Sequence, residues 1–264
     1  MHIPFTKAHG SGNDFLLTSV DRVPAGDLPT LARAICNRHT GIGADGWILM
    51  RDSSIRLFNA DGSEPEISGN GTRCAAALLI DSGRAVDELT VITGAGPKHL
   101  RLIERRDRYF VFEMNMGKPR FDEQHVRFLL PLRHGSQEVT ILDVGNPQCA
   151  VFVDQFPPTW PILGSEIEGH PHFPKRTNVS FVRSVDEHTI DVRFYERGAG
   201  VTLSSGTGST GAAVASILRK VASSPVRVLN EAGESLELRW NDSVYLTGPA
   251  EIIGAGVFFI ELQP

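Results

Sequence analysis

Apolar and polar residues alternate in short runs along most of this chain. "GWILM" (46–50), "SIRLF" (54–58), "LTVIT" (89–93), "YFVFEMNM" (109–116), "VTILDVG" (139–145), "CAVFV" (149–153), "TIDVRFYE" (189–196), "VRVLN" (226–230), "SLELRW" (235–240) and "SVYLTG" (243–248) each predict a strand. Gly, Pro, Asn and Asp punctuate them at close intervals. Three stretches predict helices instead. In residues 27–39, Leu28, Leu31, Ala32 and Ile35 recur at helical spacing. "TRCAAALLIDSG" (72–83) is Ala-rich and stops at Gly83, a C-terminal cap. "TGAAVASILRKVASS" (210–224) ends in Arg219 and Lys220, whose charges suit the negative end of a helix dipole, and Pro225 then bars continuation. Many strands and few helices predict an α+β fold. The Pro- and Gly-rich stretch 157–174 reads as irregular surface.

Two fragments are alike. Ser68-Gly69-Asn70-Gly71 and Ser205-Gly206-Thr207-Gly208 each place a serine and a Gly-x-Gly turn before an apolar, Ala-rich run, about half a chain apart. One copy in each half predicts a duplicated domain, with strands leading into one central helix per half. The charged, Pro-containing segment 117–128 is the expected junction, which divides the chain into residues 1–118 and 119–264, the last strand packing back on the first half.

Composition narrows the class. The chain has 264 residues, 41% hydrophobic and 22% charged, which suits a soluble globular protein with a sizeable core. A net charge of −5 argues against a broad nucleic-acid-binding surface. No apolar run approaches a membrane span, and the first residues show no basic-then-apolar signal pattern, so a cytoplasmic protein is expected. Three cysteines, Cys36, Cys74 and Cys149, make a poor disulfide framework and no metal clip; they are expected to be reduced and buried.

The first turn of a helix leaves backbone N–H groups without partners, and with the dipole these attract an anion such as a carboxylate. A side chain just ahead of such a turn lies in the same field. Two such turns enclosing one small molecule would present one reactive side chain from each direction. That arrangement suits inversion of a stereocentre. Singly, each motif is equally a well-capped helix start. Asn59, Asp61 and Glu64 precede the first copy, and Glu196 and Arg197 the second. "HGSGNDF" (9–15), "GNPQC" (145–149) and "TNVSF" (177–181) add Asn and Gly at strand ends, where amides can meet carboxylate or ammonium groups.

Rival motifs are weaker. "GTGSTG" (206–211) fits a dinucleotide-binding fingerprint, with Glu231 in the acidic position, but too little chain follows for a doubly wound domain. Neither Ser68 nor Ser205 sits in a Gly-x-Ser-x-Gly elbow, which argues against a serine hydrolase. His170 and His172 lack a nearby third ligand, so they read as surface loop and no metal is expected.

Taken together, "HGSGNDF", "NRHTGIGADG" (37–46), "NADGSEPEISGNGTRC" (59–74), "GNPQC", "TNVSFV" (177–182), "ERGAGVTLSSGTG" (196–208) and "LTGPAE" (246–251) resemble the diaminopimelate epimerase family over nearly the whole chain. The resemblance implies two pseudo-symmetric halves, each a curled, mostly antiparallel sheet around a central helix, with the active site in the cleft between them. It implies cofactor-free epimerisation of LL-diaminopimelate to the meso form, in lysine and cell-wall precursor synthesis, by a homodimer with a small amino-acid substrate. In that family two cysteines exchange the α-proton, one on each face. Their positions hold Ser68 and Ser205 here, and a serine hydroxyl is a far weaker acid than a thiol. Three explanations follow: replacement of cysteines in a working enzyme, a variant acting on a related amino acid, or a chain that binds without catalysing. Other positions carry over as substrate contacts: Asn13, Asn59, Asn146 and Asn178; Glu196 and Arg197 for the distal ammonium and carboxylate; and Gly69 with Asn70, and Gly206 with Thr207, for the reacting carboxylate. Gln148 stands where the family usually has His, and Val201 where it usually has Glu.

Overall fold

The computed structural model describes residues 2–260. The chain forms two units: one ends at Met114 and takes in the chain from Pro249 onward, and the other is Asn115–Gly248. Among the described residues no helix is long and apolar enough to cross a membrane.

The first unit opens with a hairpin, β1 (His2–Gly10) and β2 (Asn13–Ser19), followed by helix α1 (Leu28–Cys36). Strand β3 (Gly46–Arg51) then lies parallel to β2 and turns back into the antiparallel β4 (Ser54–Asn59). Helix α2 (Gly69–Asp81) leads to β5 (Glu88–Thr93), which meets β4 in parallel and pairs antiparallel with β6 (Gly96–Arg106), itself paired with β7 (Tyr109–Gly117).

After two short strands, β8 (Arg120–Phe121) and β9 (Phe128–Leu132), the second unit repeats that order. The hairpin is β10 (Gly135–Asp143) with β11 (Pro147–Phe152), followed by α3 (Trp160–Glu168). Strand β12 (Asn178–Asp186) lies parallel to β11 and pairs antiparallel with β13 (Thr189–Glu196). A small strand, β14 (Gly200–Thr202), precedes α4 (Gly206–Leu218). Then β15 (Val226–Leu229) meets β13 in parallel and pairs antiparallel with β16 (Ser235–Trp240). The last strand, β17 (Val244–Phe259), pairs first with β16 and then, from Glu251 on, antiparallel with β1. The same sequence of hairpin, helix, parallel strand, hairpin, helix and parallel strand in both units is the signature of an internal duplication.

Each unit uses its two helices differently. The amphipathic α1 lays Ala32 and Ile35 on a core of Ile3, Leu16, Trp47 and Phe58. Its counterpart α3 lays Ile167 on Val139, Val151, Val179 and Phe181. The irregular surface expected over 157–174 is therefore corrected: a helix occupies its middle. Pro161 sits in the first turn, where a missing N–H costs nothing, and Trp160, Leu163 and Ile167 repeat at helical spacing.

The other two helices, α2 and α4, are buried almost all round. That explains their richness in small residues and weak periodicity. Both begin earlier than expected, taking the Gly-x-Gly into the first turn. A Cβ on Gly208 would stand 2.7 Å from Cδ1 of Phe194 on β13, so that glycine is required by close packing of helix on strand.

Both central helices end in the same hydrogen-bonded cap. Gly83 and Arg84 donate to Ile80 and Leu79 after α2; Lys220 and Val221 donate to Ile217 and Ser216 after α4. The pivotal residue is left-handed in each, with φ +70 at Gly83 and +59 at Lys220. A residue with a Cβ pays about 1–2 kcal/mol there that glycine does not. Lys220→Gly is expected to raise unfolding stability by about 1 kcal/mol and Gly83→Ala to lower it by a similar amount, measured by urea denaturation.

Candidate active site

Both serines of the repeated motif are helix N-caps. Ser68 has extended backbone, and its Oγ accepts a hydrogen bond from Gly71 N at 3.1 Å. Ser205 does the same with Gly208 N at 3.0 Å. Each thereby satisfies one backbone donor that the first turn would otherwise leave open, and its oxygen lies at the positive end of the helix dipole. Gly69 with Asn70, and Gly206 with Thr207, form the first helical positions behind these caps.

The two caps differ in what else they touch. Ser205 is 1% exposed and donates its hydroxyl proton to Glu196 Oε2 at 2.6 Å. Thr202 donates to Glu196 Oε1 at 2.7 Å, which fixes the carboxylate at the end of β13. Ser68 is only half-buried. Among the described residues no carboxylate accepts from its hydroxyl. Asn59, which ends β4 as Glu196 ends β13, turns its amide to Ser63 Oγ at 3.0 Å.

In the first unit, Asn13 and Asn70 belong to one buried network. Asn13 Nδ2 donates to Asp45 at 2.8 Å, Asn70 Nδ2 donates to Asn13 Oδ1 at 3.2 Å, and Arg73 donates to Asn70 Oδ1 at 2.7 Å. Arg73 is fully buried and also donates to the Pro249 carbonyl at 3.0 Å. Arg38 bridges Asp14 and Asp45, and Lys7 pairs with Asp14 at 3.0 Å. Burial alone would raise the Asp14 carboxyl, but the hydrogen bonds and charges of Arg38 and Lys7 outweigh it and hold the group below its ordinary value. Asn59 stands outside this network, in the turn that Asp61 organises through Ser63. Glu64 pairs with Arg56 at the surface.

In the second unit the predicted residues are linked. Gln148 donates to Asn146 Oδ1 at 2.7 Å, and Asn146 donates to Thr207 Oγ1 at 3.3 Å, in the first turn of α4. Asn178 donates to the Pro147 carbonyl at 2.9 Å and accepts from Arg197 N at 3.1 Å. The starts of β11 and β12 and the end of β13 thus meet beside the Ser205 cap. The Arg197 guanidinium reaches the Lys175 carbonyl at 3.1 Å. Val201 is half exposed.

Sequence reasoning did not single out Thr202, Asp45 or Arg73. All three lie inside quoted motifs, yet only the fold shows which side chains they hold. All three cysteines are free and buried. Burial pushes the Cys74 thiol up to about 12; burial and the Asp14 and Asp45 charges do the same to Cys36; burial also raises Cys149. None is poised as a nucleophile. Among the described residues no group of three His, Cys, Asp or Glu could hold a metal ion. His172 packs edge-on against Phe173 and His125, and burial with its histidine neighbours lowers its pKa.

A family model described as diaminopimelate epimerase matches residues 5–121 and 140–253. The chain belongs to the diaminopimelate epimerase family. Family members from Pelotomaculum thermopropionicum and Moorella thermoacetica, both named diaminopimelate epimerase, are 38% and 40% identical to it over 96% of this chain and 98% of theirs. Among solved structures, a hydroxyproline epimerase from Agrobacterium vitis superposes with a TM-score of 0.75 at 16% identity, covering 97% of this chain and 92% of that one. A probable proline racemase from Agrobacterium radiobacter gives 0.76 at 16% identity, covering 99% and 94%. At that identity the likeness is one of fold: the two-domain, pseudo-symmetric α+β fold.

Two measurements check this description. In the folded protein a thiol reagent such as Ellman's is expected to find no reactive cysteine, and in denaturant all three. Asp14 has a depressed folded-state pKa, so its contribution to stability is full above the unfolded value of about 3.8 and is lost as pH falls through the folded value. Asp14→Asn is expected to melt lower at neutral pH and to show a shallower acid decline in Tm.

Proposed function

We propose that this chain is a cofactor-independent amino-acid epimerase that moves a proton at the α-carbon of a diaminopimelate-like substrate. Ser68 and Ser205 act on that carbon from opposite sides. Asn70 and Thr207, with the first-turn N–H groups of α2 and α4, receive the reacting carboxylate. The negative charge that develops when the α-proton leaves spreads into that carboxylate, where helix N-termini stabilise it. Asn13, Asn59, Asn146 and Asn178 position the substrate's polar groups, and Glu196 and Arg197 meet its distal ammonium and carboxylate.

The observation that carries this reading is the N-cap geometry repeated at Ser68 and Ser205, one hydroxyl on each central helix of a duplicated fold. Family membership and relatives named diaminopimelate epimerase support the reaction class. Gln148 and Val201 favour a second reading, in which the substrate is a related amino acid, because both depart from the family pattern beside the substrate contacts. We further propose a homodimer, tested by light scattering.

Serine is a weak acid, so turnover is slow. LL-diaminopimelate is expected to convert to the meso form at a low rate. Ser68→Cys/Ser205→Cys is expected to raise that rate by about 10²-fold or more, since a thiol at a helix N-terminus ionises far more readily than a hydroxyl. Chiral chromatography of the product checks both. A double-thiol protein that folds and binds diaminopimelate yet leaves it unchanged rejects the reading; conversion of a different amino acid in a substrate panel selects the second one.

A further inference from the structure

We infer that Glu168 is a positioning residue for substrate recognition: it clamps the turn that leads into β12 and so sets the Arg197 guanidinium where a distal carboxylate can reach it. The inference rests on the epimerase reading above, which gives Arg197 that carboxylate, and names what holds Arg197 in place.

Glu168 occupies a costly place. It ends α3, where the negative end of the helix dipole disfavours a carboxylate. Its side chain is 3% exposed. One oxygen, Oε1, is buried and takes no hydrogen bond among the described residues. Ile167, not Glu168, packs α3 on the core. A carboxylate taken out of water needs a cation, and Arg176 supplies it: Nη2 donates to Glu168 Oε2. The Arg176 side chain is 57% exposed, so it has water as an alternative partner, whereas the glutamate does not.

What the pair secures is a turn. Arg176 has φ +58, the left-handed region that a residue with a Cβ adopts only at a cost. Its N–H donates to the carbonyl of Phe173, a member of the core under α3, at 2.8 Å. The next residue, Thr177, donates its N–H to the Glu168 carbonyl at 3.2 Å. Glu168 therefore grips two consecutive residues, one through its side chain and one through its backbone. The residues flanking these two hold Arg197. The Lys175 carbonyl accepts from Arg197 Nη1 at 3.1 Å, and Asn178 Oδ1 accepts from Arg197 N at 3.1 Å. A guanidinium is planar with its N–H donors in fixed directions, so fixing one nitrogen aims the others. Asn178 has further anchors, since it donates to the Pro147 carbonyl at 2.9 Å and opens the pairing of β12 with β11. Lys175 is tied to Arg176 directly. Release of Arg176 lets the strained turn relax and moves the Lys175 carbonyl with it, so the Arg197 side chain loses its aim while its backbone stays.

Such a role produces a selective loss. The probes are diaminopimelate and L-lysine, which is diaminopimelate without one carboxylate. Calorimetric titration is expected to show tighter binding of diaminopimelate. Glu168→Gln, checked for folding by its melting curve, is expected to weaken diaminopimelate by about tenfold and to leave lysine within about twofold. Arg176→Ala is a second route to the same release and is expected to behave alike; Arg176→Lys keeps a cation opposite the carboxylate and is expected to lose less. In an Arg197→Ala background, Glu168→Gln is expected to cost no more than about twofold, because the group it positions is gone. That comparison decides the matter even where lysine binds too weakly to measure. Equal weakening of both ligands, an unchanged affinity for diaminopimelate, or a full loss that persists beside Arg197→Ala overturns this inference and leaves the epimerase reading standing. Diaminopimelate affinity that Arg197→Ala leaves untouched overturns the inference together with the assignment of Arg197. Failure of the unaltered protein to bind diaminopimelate at all rejects the diaminopimelate reading and this inference with it.

Discussion

A hydroxyl that accepts the third N–H of a buried helix is the interaction on which the rest of this molecule depends. Helices α2 and α4 are sunk among strands, so water does not satisfy their first turns as it would at a surface. A residue at the N-cap must do so, and serine does it in both units. Fixing the cap fixes the position of one oxygen relative to the helix dipole. It also fixes the glycines behind it, since the turn can enter the sheet only where no Cβ blocks it, as at Gly208 against Phe194. Structure and proposed chemistry therefore meet in the same atom: the oxygen that completes the helix is the one that receives or delivers a proton in the proposed reaction.

The duplication explains why this happens twice, and divergence between the copies explains why the two sites are not alike. Both units retain the order of strands and helices, the amphipathic outer helix, the buried central helix and the cap at each of its ends. What differs is the residue that ends β4 in one unit and its counterpart β13 in the other. An amide at Asn59 serves its own turn, whereas a carboxylate at Glu196 reaches the cap hydroxyl. The scaffold is symmetric because packing demands it. The side-chain contacts at the two caps are not bound by that demand and differ.

Much of this was legible in the sequence because the signals were local. Alternation located the strands, with β13 and β16 matching to the residue, and the paired Ser-Gly-x-Gly motifs revealed the duplication. Helix α3 was obscured because Pro and Gly crowd the segments on either side of it, although Trp160, Leu163 and Ile167 carried the period. The starts of α2 and α4 were misplaced because glycine normally marks a turn, and only the nearness of β13 shows why it belongs inside the helix. The contact between Glu196 and Ser205 was not legible. They are nine positions apart with a short strand between them, and the distance between their side chains is a property of how β14 returns the chain.

The measurement that tests this account most directly is a crystal structure of the protein with diaminopimelate bound. The account predicts one α-carbon with Ser68 Oγ and Ser205 Oγ on opposite sides, each about 3–3.5 Å from the carbon or its hydrogen, and Glu196 still bonded to Ser205. A ligand seated on one cap alone, with the other serine turned to solvent, would contradict it.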